Sequence, residues 1–194
     1  MTNILALLND EERQLYKTIR LSKEETLFHE DDLCEEIGII VEGQVAIISY
    51  LDDGKEMVFN RLDKGGIFGN NLIFSSSPYY KGNVIAQSES EIALLKKDDL
   101  FKLLESNSDF MIEYLKILSD QGKQLNAKIR LLSLASAQDR FIYYMYDHKK
   151  QITYTSLNDL AKDLYLSRET LSRLLSRMSS EKRIKKQGKT LRLL

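Results

Sequence analysis

The sequence has few of the residues that form disulfides, metal sites and rigid turns. Among its 194 residues are one cysteine, one proline, two histidines and no tryptophan. The single cysteine, Cys34, excludes an internal disulfide and any all-cysteine zinc or iron–sulfur site. His29 and His148 are too few for most histidine-based metal sites. We therefore expect no metal and no resident cofactor, and the reducing cytoplasm is the expected location.

Long hydrophobic runs are also missing. No apolar segment approaches the roughly 18 residues that a membrane-spanning helix needs. Residues 1–8 are apolar, but they lack a basic stretch and run into three acidic residues, so no signal peptide is expected. With 43% hydrophobic and 29% charged residues, the composition is typical of a core-forming protein without a membrane partner.

The net charge of −1 combines two segments of opposite sign. Residues 135–194 contain 13 basic and 6 acidic residues, a net charge of +7, which leaves −8 for residues 1–134. Six of the basic residues and no acidic one lie within residues 182–194. Such a run is typical of a phosphate-contacting surface, although a solvated tail has the same composition. The asymmetry favours two domains, residues 1–134 and residues 135–194.

Short apolar segments separated by turns fill residues 24–98. Two of them, residues 37–41 and 45–50, are each followed by a glycine turn, and Asp52, Asp53 and Gly54 form the second. Strands of this length and spacing predict an antiparallel sandwich or barrel.

Beyond these strands the hydrophobic period becomes helical. Asp98 and Asp99 are expected to cap a short helix, and the pair Asn107 and Ser108 is expected to cap a long helix that ends near residue 134. Apolar residues recur at alternating steps of four and three along the long helix, which is the heptad spacing of a seam between two helices. The alternative is a helix that packs only on its own barrel. A glycine within the seam favours close approach of a partner helix, because it costs about 1 kcal/mol of helix propensity. The seam comprises Met111, Leu115, Leu118, Gly122, Leu125, Ile129 and Leu132.

Residues 156–184 carry the strongest functional signal. Two short amphipathic segments meet at a tight turn, and Ser167 is a suitable N-cap for the second. Arginine and glutamate on its outer face can bond guanine and cytosine in the major groove. An amphipathic hairpin with a solvated charged face is the alternative. We predict base readout by Arg168, Glu169, Ser172 and Arg173, and phosphate contacts by Ser167, Thr170, Lys182, Arg183, Lys185, Lys186 and Lys189.

These motifs together resemble the CRP/FNR family of bacterial transcription regulators. Residues 39–47 (IIVEGQVAI) and 63–69 (DKGGIFG) are similar to two signatures of its sensor domain, and residues 157–174 (LNDLAKDLYLSRETLSRL) to its helix-turn-helix. The resemblance implies an α+β fold with an N-terminal antiparallel, jelly-roll-like β-roll, a long dimerisation helix and a C-terminal winged helix-turn-helix domain. It also implies a homodimer on double-stranded DNA with a palindromic operator, with RNA polymerase as a further candidate partner.

The sensor domain departs from cyclic-nucleotide-binding members of this family. An ungapped match puts Asn70 where those members carry a ribose-binding glutamate, and Tyr80 and Lys81 where they carry a phosphate-binding arginine and serine. A buried cyclic phosphate needs fixed charge and donors. We therefore expect a sensor that does not respond to cyclic AMP, with an unknown effector. The candidate pocket residues are Asn70, Asn71, Tyr80 and Lys81.

Two classes of function remain open on the sequence alone. The first is a DNA-binding transcription regulator, and the second is a cyclic-nucleotide or other small-ligand module whose helical tail only packs or oligomerises. No nucleophile–base pair, metal cluster or phosphate loop is visible, so no catalytic residue is assigned and no enzyme is expected. Tyr165 stands where the family usually has a turn glycine, and it is expected to carry strain if its φ is positive.

Overall fold

A computed structural model describes residues 4–194 of the protein. The first three residues, part of the apolar start considered for a signal peptide, lie outside the described residues. The chain forms two compact units, one that ends at Ser119 and one from Asp120 to Leu194. The boundary between them falls inside a continuous helix. The division between residues 134 and 135 that the charge asymmetry favours stays a prediction.

The first unit contains two antiparallel four-stranded sheets, as predicted. Their orders are β1-β8-β3-β6 and β2-β7-β4-β5. The strands are β1 (Tyr16–Leu21), β2 (Thr26–Phe28), β3 (Glu36–Glu42), β4 (Gln44–Tyr50), β5 (Glu56–Asp63), β6 (Ile67–Phe68), β7 (Asn83–Ala86) and β8 (Ser90–Lys96). Two short 3-10 segments, Ile4–Leu7 and Glu12–Leu15, precede them.

Turn chemistry sets the strand ends in this unit. Gly43 joins β3 to β4 with φ of 85°, a conformation that side chains with a Cβ rarely adopt. A Cβ there would also lie 2.3 Å from the Ser90 hydroxyl, so the close packing requires glycine. The predicted turn at residues 52–54 joins β4 to β5, with the Leu51 amide donating to the Lys55 carbonyl at 2.9 Å. The hairpin therefore forms where the sequence predicts it.

Two helices follow the sheets, α1 (Lys97–Ser106) and α2 (Ser108–Ser133). Asn107 caps α2, since its side-chain oxygen accepts from the Phe110 amide at 2.9 Å. The expectation for α1 was wrong in detail. Lys96 occupies the N-cap position without a side-chain bond, and Asp98 and Asp99 lie inside the first turn, where they interact favourably with the helix dipole.

The heptad seam of α2 is largely open to solvent in the single chain. Leu125 and Ile129 are 58% and 57% exposed, and Leu115 is 52% exposed. Leu118 is half-buried and packs partly on the core of the first unit. A Cβ added to Gly122 would have no neighbouring atom within 4 Å, apart from the adjacent backbone of its own helix. The seam therefore presents apolar surface with room for another helix.

The second unit also contains α3 (Ala137–Asp147), β9 (Gln151–Thr153), α4 (Leu157–Asp163), α5 (Arg168–Ser180), β10 (Ile184–Gln187) and β11 (Thr190–Leu193). Its three strands form an antiparallel sheet in the order β10-β11-β9. Phe141 and Met145 of α3 are buried against Leu171 and Met178 of α5 in one core. This arrangement confirms the predicted winged helix-turn-helix.

Candidate nucleic-acid interface

Two serine caps fix the helix-turn-helix. The Ser156 hydroxyl accepts from the Asp159 amide at 3.1 Å at the start of α4. The Ser167 hydroxyl accepts from the Thr170 amide at 3.1 Å at the start of α5, and it also bonds the Thr170 hydroxyl at 2.8 Å. Each cap satisfies an amide that has no partner within its helix. The first residue of α5 is therefore Arg168, which places the predicted reading residues in its first two turns.

The burial of α5 separates its two faces cleanly. Leu171 and Met178 are fully buried, whereas the four predicted base-reading residues are exposed. Arg173 and Glu169 lie one turn apart, with Nη2 of the arginine 3.8 Å from Oε2 of the glutamate. The structure thus brings the four side chains together on one outward surface, which comprises Arg168, Glu169, Ser172 and Arg173.

The turn between α4 and α5 has a left-handed residue. Tyr165 has φ of 52°, a conformation that costs a residue with a Cβ about 1–2 kcal/mol. Its amide donates to the Lys162 carbonyl at 3.0 Å, and the next amide, of Leu166, donates to the Ala161 carbonyl at 2.9 Å. The strain anticipated from the sequence is therefore present, and local hydrogen bonds hold the turn.

The basic residues after α5 differ in whether their side chains already have a partner within the protein. Lys185 and Lys186 lie exposed on β10, and Lys182, in a left-handed turn with φ of 57°, is also exposed. By contrast, Nζ of Lys189 donates to the Thr155 carbonyl at 2.6 Å. The Arg183 guanidinium lies 3.7 Å from the carboxylate of Glu181. Among these basic residues, three lysines are therefore the most available for contact with phosphate, namely Lys182, Lys185 and Lys186.

The candidate effector residues of the first unit lie in different environments. Tyr80 is buried, stacks on Phe28 with ring centroids 4.9 Å apart, and donates its hydroxyl to the Glu36 carbonyl at 3.3 Å. Burial raises the pKa of Tyr80, so its hydroxyl stays protonated. Lys81 instead points to the surface, where its Nζ lies 3.6 Å from Asp31. The tyrosine and the lysine therefore do not face one site.

The other two candidates also differ in environment. Asn70 is buried, and its backbone carbonyl accepts from the Tyr114 hydroxyl of α2 at 3.3 Å. Burial raises the pKa of Tyr114 to about 12. Asn71 is exposed. Asn70 thus belongs to the contact between the loop after β6 and the long helix.

Two negative findings concern the described part of the chain. Within residues 4–194, no group of three or more His, Cys, Asp or Glu side chains is placed to hold a metal ion. Among the helices of the same residues, none is both long and apolar enough to cross a membrane.

Comparison with known proteins gives a consistent assignment. The family model for the cyclic nucleotide-binding domain matches residues 18–107. The cAMP-activated global transcriptional regulator CRP of Pasteurella multocida is 24% identical over 177 residues, which cover 86% of this chain and 84% of that protein. The sequence similarity thus extends beyond the sensor domain into the helix-turn-helix. Over most of its length the chain is therefore similar to a CRP-type transcription regulator.

Solved structures agree with this assignment. A transcriptional regulator from Thermotoga maritima is 26% identical, with a TM-score of 0.59, over 63% of this chain and 95% of that chain. A CooA mutant from Carboxydothermus hydrogenoformans is 20% identical, with a TM-score of 0.67, over 99% of this chain and 91% of that chain. The second similarity shows that the fold of CooA extends along nearly the whole chain.

The sequence analysis missed two arginines of the second unit. Arg177 is exposed on α5, one turn after Arg173, and its Nη2 donates to the Gln138 side chain at 3.1 Å. Its spacing of four residues from Arg173 was a visible signal. Arg140 on α3 reaches the turn at Tyr165, 25 residues away in sequence. No local pattern indicates that contact.

Proposed function

We propose that this chain is a sequence-specific, DNA-binding transcription regulator of the CRP/FNR family. The observation that carries the proposal is the exposed surface of α5, where two arginines and a glutamate lie in the first two turns of a capped helix. The N-terminal turns of a recognition helix are the part that meets base edges in the major groove. The known relatives described above are transcription regulators. This chemistry supports regulation of transcription and gives no support to catalysis.

Contacts to the DNA backbone would come from the basic residues after α5. Lys182, Lys185 and Lys186 present ammonium groups, which act on phosphate as point charges without reading sequence. We place the arginines and the glutamate of α5 on bases and these lysines on phosphates. A regulator of this type works beside the chromosome, so we place the chain in the cytoplasm, with RNA polymerase as a candidate partner.

We further propose that the chain acts as a homodimer through the α2 seam. Four of its leucine and isoleucine side chains are more than two-fifths exposed, namely Leu115, Leu125, Ile129 and Leu132. Burial of this apolar surface on a second copy stabilises the pair at about 25 cal/mol per Å². A two-fold dimer of helix-turn-helix units fits a palindromic operator with half-sites about 34 Å apart.

The sensor, in this proposal, responds to a signal other than cyclic AMP. The support is the burial of Tyr80 in the core and the outward course of Lys81, which leave neither as a ligand for a buried phosphate. The second candidate function is a cyclic-nucleotide or other small-ligand module of the same fold. The match of residues 18–107 to the cyclic nucleotide-binding domain favours that candidate.

Selection from a randomised duplex pool tests the regulator directly. Full-length protein is incubated with 30-base-pair duplexes whose central positions are random, and bound DNA is amplified through several rounds. The proposal requires enrichment of a palindromic sequence, with an affinity that falls as salt rises because counterions are released. Enrichment of no sequence, or a DNA affinity that does not change with salt, would favour the small-ligand module instead.

A further inference from the structure

Arg140 of α3 bonds two backbone carbonyls that lie at the ends of two other helices. Its Nε donates to the Leu134 carbonyl at 3.3 Å, directly after α2 ends. Its Nη1 donates to the Tyr165 carbonyl at 3.0 Å, two residues after α4 ends. Carbonyls at helix C-termini lack intrahelical partners and carry partial negative charge, so a cation is well suited to both. One half-buried guanidinium therefore joins the end of α2 to the turn between α4 and α5.

A second cation reaches the same turn. The ammonium of Lys128, in the part of α2 that belongs to the second unit, lies 5.2 Å from the centre of the Tyr165 ring. The carbonyl and the ring of Tyr165 are thus each held by a positive side chain. A glycine would adopt φ of 52° without strain, whereas tyrosine needs surrounding contacts that favour this conformation over others.

We propose that Arg140 is a positioning residue for DNA recognition, which compensates for the absence of a glycine in the helix-turn-helix turn. The turn fixes the angle at which α5 leaves α4, and that angle decides whether Arg168, Glu169 and Arg173 meet base edges. Arg140 acts on DNA only through Tyr165, and Lys128 assists by holding the ring. This inference rests on the proposed function, because the positioned helix is the proposed reader.

The expected effect is a loss of discrimination. Arg140→Met removes both donors at similar length, and it should lower affinity for the enriched duplex about tenfold. Affinity for random DNA and the salt dependence should stay unchanged, since Arg140 is not itself a phosphate ligand. Arg140→Lys, which keeps one charged donor, should recover part of the loss.

Tyr165→Gly supplies the decisive rescue. Glycine adopts the left-handed conformation without support from Arg140. Arg140→Met combined with Tyr165→Gly should therefore regain most of the wild-type discrimination between the enriched duplex and random DNA. Tyr144→Phe is the matched control. It removes the hydroxyl that donates to Asp163 at 3.3 Å, and so weakens a different link between α3 and α4. This control should leave discrimination unchanged.

Amide hydrogen exchange of the full chain gives a readout that needs no DNA. The Leu166 amide donates across the turn to the Ala161 carbonyl. Its hydrogen should exchange faster in Arg140→Met and return toward the wild-type rate in the double variant. Equal exchange in all variants would overturn the proposal. So would a salt slope reduced by about one, which marks a direct phosphate contact, or a double variant as poor as Arg140→Met. If wild-type protein enriches no duplex, the proposed function fails, and the exchange rates alone decide whether Arg140 holds the turn.

Discussion

The guanidinium of Arg173 lies 3.8 Å from the carboxylate of Glu169, one helical turn earlier on α5. The two side chains are 81% and 84% exposed, so water screens their attraction. Such a surface pair contributes at most about 1 kcal/mol. It can therefore hold both groups in an outward-facing arrangement and still break at little cost when each meets a base edge.

Replacement of Arg173 tests this role. Arg173→Ala should weaken binding to the enriched duplex by roughly 1–3 kcal/mol and relax the preference at one base pair. The physical reason is the loss of a bidentate donor to guanine. Affinity is measured by titration against the enriched duplex, single-base variants of it and random DNA. An equal loss on all of them would assign Arg173 to phosphate instead.

Lys185 should behave differently. Lys185→Ala should weaken binding to every sequence by the same factor and reduce the slope of log K against log salt by about one, because one phosphate contact is lost. Lys102→Ala, which removes an exposed lysine from α1 in the first unit, is the matched control and should leave the slope unchanged. A sequence-dependent loss for Lys185→Ala would place this lysine on a base.

The α2 seam predicts the oligomeric state. Leu125→Glu puts a charge into the proposed helix pair and should convert a dimer into a monomer at micromolar concentration, because an unpaired buried carboxylate is costly. Sedimentation equilibrium measures the mass. Ala127→Glu lies on the opposite face of the same helix and should remain dimeric. A monomeric wild-type protein at this concentration would contradict the proposal.

Calorimetry tests the sensor. Titration of the full chain with cyclic AMP and with cyclic GMP should give no binding at low micromolar concentrations, since Tyr80 is buried and Lys81 already pairs with Asp31. The same titration of Lys81→Ala should give the same result, because the lysine is not a phosphate ligand in this proposal. A low micromolar dissociation constant for the wild type, lost in Lys81→Ala, would instead make Lys81 part of a nucleotide site.

Features set by local chemistry were predictable from the sequence. The caps at Asn107 and Ser167 follow from side chains that bond amides three residues later. The exposed and buried faces of α5 follow from its 3.6-residue period. For the same reason, the residues proposed for base readout share one surface, which needs only a regular helix to bring them together.

Features that depend on side-chain direction or on contacts distant in sequence were harder to predict from the sequence. An ungapped match aligns Tyr80 and Lys81 with two ligand positions, yet the chain bends at Lys81 and the two side chains have different environments. One side chain is therefore in the core and the other in solvent. The bond from Arg140 to the Tyr165 carbonyl depends on how α3 packs near the turn, and no periodicity in the sequence encodes that.

The continuity of α2 across the boundary at Ser119 and Asp120 has a consequence for protease sensitivity. Domains are commonly separated by exposed, irregular linkers, which proteases cut first. Here the boundary is helical, and the irregular residues 134–136 lie inside the second unit. A cut there would remove Leu131, only 5% exposed, and Lys128 from the unit that they help to stabilise. Limited proteolysis should therefore yield a C-terminal fragment that is less stable than the same unit in the intact chain.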